Sequence, residues 1–205
     1  MIKKSVKKQI DKNIKDVWLE DICEDYGNGL LIKEASLQCA LYHHLRNRLA
    51  DILEANSLYI YPEFYFKDLK YRADLVIAEM DMNIPSAYLS TRVTDIAAVI
   101  ELKYAGGNAK TTEKYIKSDM PKLKQYFQSL SYNCQLYFGV IYETECSWLS
   151  WFDKRTTNNW GSGWLTELNA GRIDNDTIFE VNSYNWMNYQ SKSKKCEIRF
   201  CQDCT

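Results

Sequence analysis

The chain has 205 residues, of which 46% are hydrophobic, 26% charged and 14% aromatic, a composition that excludes a disordered or fibrous protein and suits one domain with a sizeable core. Its formal net charge of −1 excludes a globally basic, histone-like binder. Gly and Pro are scarce, at 8 and 3, so long flexible linkers are not expected.

The longest unbroken aliphatic run is Ile96 to Ile100, too short to span a bilayer, and no apolar stretch follows the basic N-terminus. These features lead us to expect a soluble, cytoplasmic protein with no membrane partner. The seven cysteines are then expected as reduced thiols; Cys196, Cys201 and Cys204 fall one ligand short of a structural zinc site. Charge is uneven along the chain. Residues 1–15 hold six Lys against one Asp, and residues 103–124 hold six Lys against Glu113 and Asp119, so basic stripes lie on an otherwise acidic body.

Ile10, Ile14, Val17, Trp18 and Ile22 recur at helical spacing and predict an amphipathic helix over 5–23, closed by Gly27-Asn28-Gly29. A second helix is predicted over 34–54, with Leu37, Leu41, Leu45, Leu49, Ile52 and Leu53 as its apolar stripe. Residues 58–67 read as a strand that Pro62 assigns to a sheet edge. Residues 72–79 read as a second strand and 96–104 as a third, which is continuously apolar and so expected to be covered on both faces. A helix follows over 109–130, interrupted or started afresh at Pro121, and 134–142 reads as a strand parallel to the third. Beyond it the pattern weakens into an aromatic, irregular stretch from Trp148 to Trp164, with short strands expected at 177–181 and 196–200. The expected fold is α/β with a mixed central sheet flanked by helices. Residues 1–29 read as a helical extension, 30–143 as the core and 144–205 as an aromatic-rich decoration.

Three charged residues mark the chemistry. Glu101 and Lys103 are two apart in a strand and point to one face, while Leu102 points to the other. They close an apolar run, where unpaired charge is costly. Asp74 begins the preceding strand and comes beside Glu101 if the two strands pair. Two converging carboxylates suit Mg²⁺, which takes few protein ligands, and a neighbouring Lys can orient or help deprotonate a water; this is a hydrolytic site for phosphodiesters.

The pattern of Asp74, a spacer, then Glu101-Leu102-Lys103 resembles the PD-(D/E)xK nuclease superfamily, and the order helix, three strands, helix, strand over 34–142 resembles its restriction-endonuclease-like core. That resemblance implies that Asp74, Glu101 and the Leu102 carbonyl hold Mg²⁺, for which Mn²⁺ can substitute, and that Lys103 serves the attacking water. It adds Glu34 from the first core helix as a supporting acid, with Gln38 on the same face, and Glu63 as a looser additional candidate. The segment Asp119-Met-Pro-Lys122-Leu123 resembles a recurring stretch in the same superfamily. Tyr126 has Lys122 rather than Gln four residues before it, a departure from the exonuclease-like branches.

Lys110, Lys114, Lys117, Lys122 and Lys124, on the helix after Glu101, are the candidate phosphate contacts. Tyr59, Tyr61 and Tyr65 are read first as strand packing, with base stacking as the other use. The implied activity is a Mg²⁺-dependent nuclease with DNA as the favoured substrate, a homodimer being compatible with the sequence. The rival reading is a catalytically inactive domain of the same fold that binds protein or nucleic acid.

Overall fold

The computed structural model describes residues 1–106, 109–130, 134–146, 149–150, 160–185 and 188–199; within 109–117, 184–185 and 188–189 it describes the backbone alone. Most of the aromatic stretch after Trp148, and Cys201 and Cys204, lie outside these residues. The chain is α/β, built on one seven-stranded mixed sheet whose strands lie in chain order. They are β1 (Leu58–Phe66), β2 (Tyr71–Met80), β3 (Val93–Ala105), β4 (Gln135–Glu145), β5 (Leu165–Ile173), β6 (Asp176–Asn185) and β7 (Asn188–Cys196). The first three pair antiparallel, β3–β4 and β4–β5 are parallel, and the last three are antiparallel again. Pro62 sits on the edge strand β1, as its missing N–H requires. The other edge, β7, carries exposed Lys192, Lys194 and Lys195.

Alternation along the strands divides the core into two. Leu75, Ile77, Ala98, Ile100, Leu102, Tyr137 and Phe179 face helices α1 (Lys4–Val17), α2 (Cys23–Gly27), α3 (Glu34–Arg48) and α4 (Ala50–Ala55). Val76, Ala78, Val99, Phe138 and Val140 face α5 (Ala109–Ser129) together with Leu123 and Tyr126. The unbroken apolar run before Glu101 follows from this double cover. α5 carries Pro121 inside it and runs on, so the proline costs one backbone hydrogen bond rather than ending the helix. Among the described residues no helix is long and apolar enough to cross a membrane.

Three expectations need correction. The helix predicted over 34–54 breaks at Leu49, whose backbone (φ −99°, ψ 4°) separates α3 from α4. Within the segment read as a decoration, β5, β6 and β7 extend the sheet; the strand expected at 177–181 is present as part of β6, whereas β7, which ends at Cys196, stands in place of one expected to begin there. Residues 1–29 are helical as expected, but they pack into the core rather than extend from it. Ile14, Val17, Trp18 and Ile22 have no exposed surface. Trp18 opens a π-helical turn (Trp18–Ile22), donates its indole N–H to the Asn169 carbonyl at 3.1 Å, and packs against Phe179 at 5.7 Å between ring centroids. Gly139 makes room for it, because a Cβ there would lie 2.8 Å from Leu102 Cδ2 and 3.2 Å from Trp18 Cζ3.

Removing the Trp18 ring leaves a cavity against the sheet and deletes its hydrogen bond to the Asn169 carbonyl. Trp18→Ala is expected to lower the unfolding free energy by about 3–5 kcal/mol in denaturant titrations, the range for Trp truncated in a packed core. A loss of less than about 1 kcal/mol would mean that the N-terminal helices are peripheral to the fold.

Candidate active site

β2 and β3 pair antiparallel with Leu75 opposite Ile100, which brings Asp74 beside Glu101. Glu101 and Lys103 continue the α5-facing side of β3 set by Val99, while Leu102 is buried on the other side. Asp74 Oδ2 accepts a hydrogen bond from the Leu102 N–H at 2.6 Å, a cross-strand tie between the two acidic positions. α3 reaches the same end of the sheet from the opposite face. Ser36 Oγ accepts from the Ile32 and Lys33 N–H groups at 3.0 and 3.1 Å, fixing the first turn that presents Glu34. An acid there is favoured by the helix dipole.

Lys103 is the hub. Its Nζ lies 3.4 Å from the Glu34 carboxylate and 3.2 Å from Asp119 Oδ2, so helices on both faces of the sheet each send one acid to it. Burial penalises the Lys103 ammonium, yet Asp119, Glu34 and Asp74 outweigh that cost and raise its pKa above the ordinary lysine value. An amine held charged cannot take a proton from water. Of the two uses expected of Lys103, orienting a water or helping to deprotonate it, a charged ammonium suits the first.

Glu101 has no exposed surface. Lys122 Nζ donates to its Oε2 at 2.7 Å and Tyr126 OH to its Oε1 at 3.0 Å. Burial, then the neighbouring Asp74, still push its pKa up to about 7 against those two donors. Burial likewise raises Asp74 to about 6, opposed by the Leu102 N–H and Lys103. Both carboxyls thus change charge near neutrality, well above the usual carboxylate range.

Glu34, Gln38, Glu63, Asp74, Glu101 and Lys103 all gather at this end of the sheet. Gln38 Nε2 donates to the Asp74 carbonyl at 2.7 Å and to Glu63 Oε1 at 3.0 Å. Glu63 interrupts the β1–β2 register with a left-handed backbone (φ 53°) and meets Arg72 at 3.6 Å. A strained, non-glycine residue beside a cluster of acids is a recurrent mark of a working site.

Lys122 departs from the expected set. It is aimed inward at Glu101, not outward at a phosphate, because Asp119, Lys122 and Tyr126 recur at three and four along α5 and share the face turned to β3. Lys124 is exposed, and the side chains of Lys110, Lys114 and Lys117 lie outside the described ones. Asp119 and Tyr126 were not assigned roles from the sequence. Their spacing with Lys122 is the signal that could have found them.

Asp74 and Glu101 are neighbouring carboxylates across β2 and β3, oxygen donors of the type a hard divalent cation takes. Among the described residues no group of three or more His, Cys, Asp or Glu side chains converges as a metal site. The paired histidines take no part: His44 Nε2 meets Asp25 at 2.8 Å and His43 meets Asn47 at 3.0 Å. No family model, curated protein or solved structure significantly matches this chain.

The raised acids set the sign of a pH effect. Both carboxyls hold protons in the folded state at pH values where the unfolded chain has lost them, so their contribution is present below the ordinary carboxylate range. It is lost as pH rises through about 6 for Asp74 and about 7 for Glu101. In a chelator, the unfolding free energy of the native protein should therefore fall between about pH 5 and pH 8 relative to that of Glu101→Gln. Parallel pH profiles for the two proteins would contradict the assigned environment of Glu101.

Proposed function

We propose that the protein is a Mg²⁺-dependent nuclease of the PD-(D/E)xK type, with a restriction-endonuclease-like core over 34–142, hydrolysing phosphodiester bonds of DNA. The observation that carries this reading is the placement of Asp74 and Glu101 on adjacent antiparallel strands with Lys103 two residues on, bracketed by Glu34 and Asp119. The donor set suits a hard divalent cation: two neighbouring carboxylates, their charged forms disfavoured by burial, at a strand end where few protein ligands leave room for water. Asp74 and Glu101 would hold the cation with the Leu102 carbonyl, and Mn²⁺ would substitute. Such a cation supplies Lewis acidity toward a phosphodiester oxygen and lowers the pKa of water.

The chain's own residues do the rest. The Lys103 ammonium stays charged, donates hydrogen bonds to the attacking water and stabilises negative charge growing on the phosphate. Glu34 and Asp119 hold that ammonium in place from the two faces of the sheet. Gln38 fixes the backbone of Asp74 through its carbonyl. Lys124, exposed on α5, is available to the phosphate backbone, and Lys110, Lys114 and Lys117 on the same helix are proposed to join it.

One observation favours the inactive binding module: both Glu101 oxygens already have donors of their own, Lys122 and Tyr126. Cleavage decides between the two. Supercoiled plasmid, linear duplex, single-stranded DNA and RNA would be incubated with Mg²⁺ or Mn²⁺, with EDTA as control. Metal-dependent cutting of DNA is expected, and Lys103→Met should reduce it by about 10²–10³-fold or more, the cost of removing one preorganised electrostatic donor. No cutting of any substrate by the native protein would shift the reading to the binding module.

A further inference from the structure

We infer that Lys122 is a displaceable internal cation: it neutralises Glu101 until a divalent metal takes its place on that carboxylate, and the freed ammonium then grips a phosphate of the bound DNA. The inference rests on the nuclease reading and adds an order of events to it.

A cation ligated by Glu101 would lie within a few ångström of the Lys122 ammonium, which sits 2.7 Å from Oε2, whereas the donor on Oε1 is the neutral Tyr126 phenol, so like-charge repulsion acts on Lys122 alone of the two donors. Tyr126 is the fixed one. It has no exposed surface, and its ring packs 5.0 Å from Phe66 and 6.3 Å from Tyr71 between centroids. Lys122 is the mobile one: its side chain keeps 21% of its surface exposed and reaches Glu101 on a flexible four-carbon stem. Lys103 cannot substitute for it, being held between Asp119 and Glu34.

Charge balance points the same way. Among the described side chains, Glu34, Asp74, Glu101 and Asp119 are faced by Lys103 and Lys122, while Glu63 is matched by Arg72. A doubly charged cation satisfies the excess and leaves the Lys122 ammonium without a carboxylate, next to the position a phosphate would occupy. Metal and DNA then strengthen each other's binding through this one side chain, and the coupling must be reciprocal.

The test uses Lys122→Met, and Lys122→Gln to retain a neutral donor to Glu101, both checked for native circular dichroism. Mn²⁺ would be titrated calorimetrically at about pH 8.5, above the titration range of Glu101. Both variants should bind Mn²⁺ on the order of ten-fold more tightly than the native protein, a competing like charge having been removed. In parallel, the anisotropy of a labelled DNA duplex would be followed in Ca²⁺ and in EDTA; the native protein should bind more tightly with Ca²⁺, and the variants should lose most of that gain. Mn²⁺ affinity in the variants equal to or below the native value, or an undiminished Ca²⁺ gain, would overturn the displacement while leaving the nuclease reading standing. Failure of the native protein and both variants to bind Mn²⁺ would remove the nuclease reading itself, and this inference with it.

Discussion

Burying the Glu101 carboxylate is the constraint around which this end of the molecule is organised. A carboxyl with no exposed surface loses its hydration, and that loss, together with repulsion from Asp74, outweighs an ammonium at 2.7 Å and a phenol at 3.0 Å in setting its pKa. Asp74 beside it adds repulsion, and Lys103 adds a positive charge that is itself tied down by two further acids. Removing Lys122 would leave Glu101 the Tyr126 phenol but no ammonium, and removing Asp119 would leave Lys103 to Glu34.

Such a cluster needs walls on both sides of a sheet, and the fold supplies them by different routes. On one side α1 to α4 bury a stripe of Ile, Leu and Trp18 against the even positions of β3, including Leu102. On the other, α5 lays Leu123 and Tyr126 on Val99 and Phe138 and so carries Asp119 and Lys122 over Glu101 and Lys103. The parallel step from β3 to β4 across α5 makes this possible, because a crossover helix must pass over the strand that carries the acids. The antiparallel step from β2 to β3 contributes the other half, returning Asp74 to the level of Glu101.

Much of this could be read from the amino-acid order because it follows from apolar periodicity. Ile116, Met120, Leu123 and Phe127 mark α5, and the run through Ile100 marks a strand covered twice. The adjacency of Asp74 and Glu101 then needs only that neighbouring strands pair. What escaped depends on polar groups turned inward. β5 was missed because Thr166, Glu167 and Asn169 interrupt its apolar residues, although all three are buried and Glu167 accepts hydrogen bonds from Ser150, Asn169 and Asn182. Hydropathy cannot distinguish a satisfied interior carboxylate from an exposed one. The break at Leu49 has no Gly or Pro to announce it. Lys122 was misplaced for a related reason: α5 carries lysines on several sides, and only the position of an internal acid shows which of them turns in.

The two outer strands carry a consequence of their own. An open sheet of seven strands leaves a row of unpaired backbone groups at each margin, a template on which further chains can pair and grow into aggregates. Here one margin is spoiled by Pro62, which has no N–H to offer, and by the left-handed kink at Glu63. The other presents Lys192, Lys194 and Lys195, whose mutual repulsion would rise with every strand added alongside. The geometry that frames the acids thus also discourages strand-by-strand polymerisation.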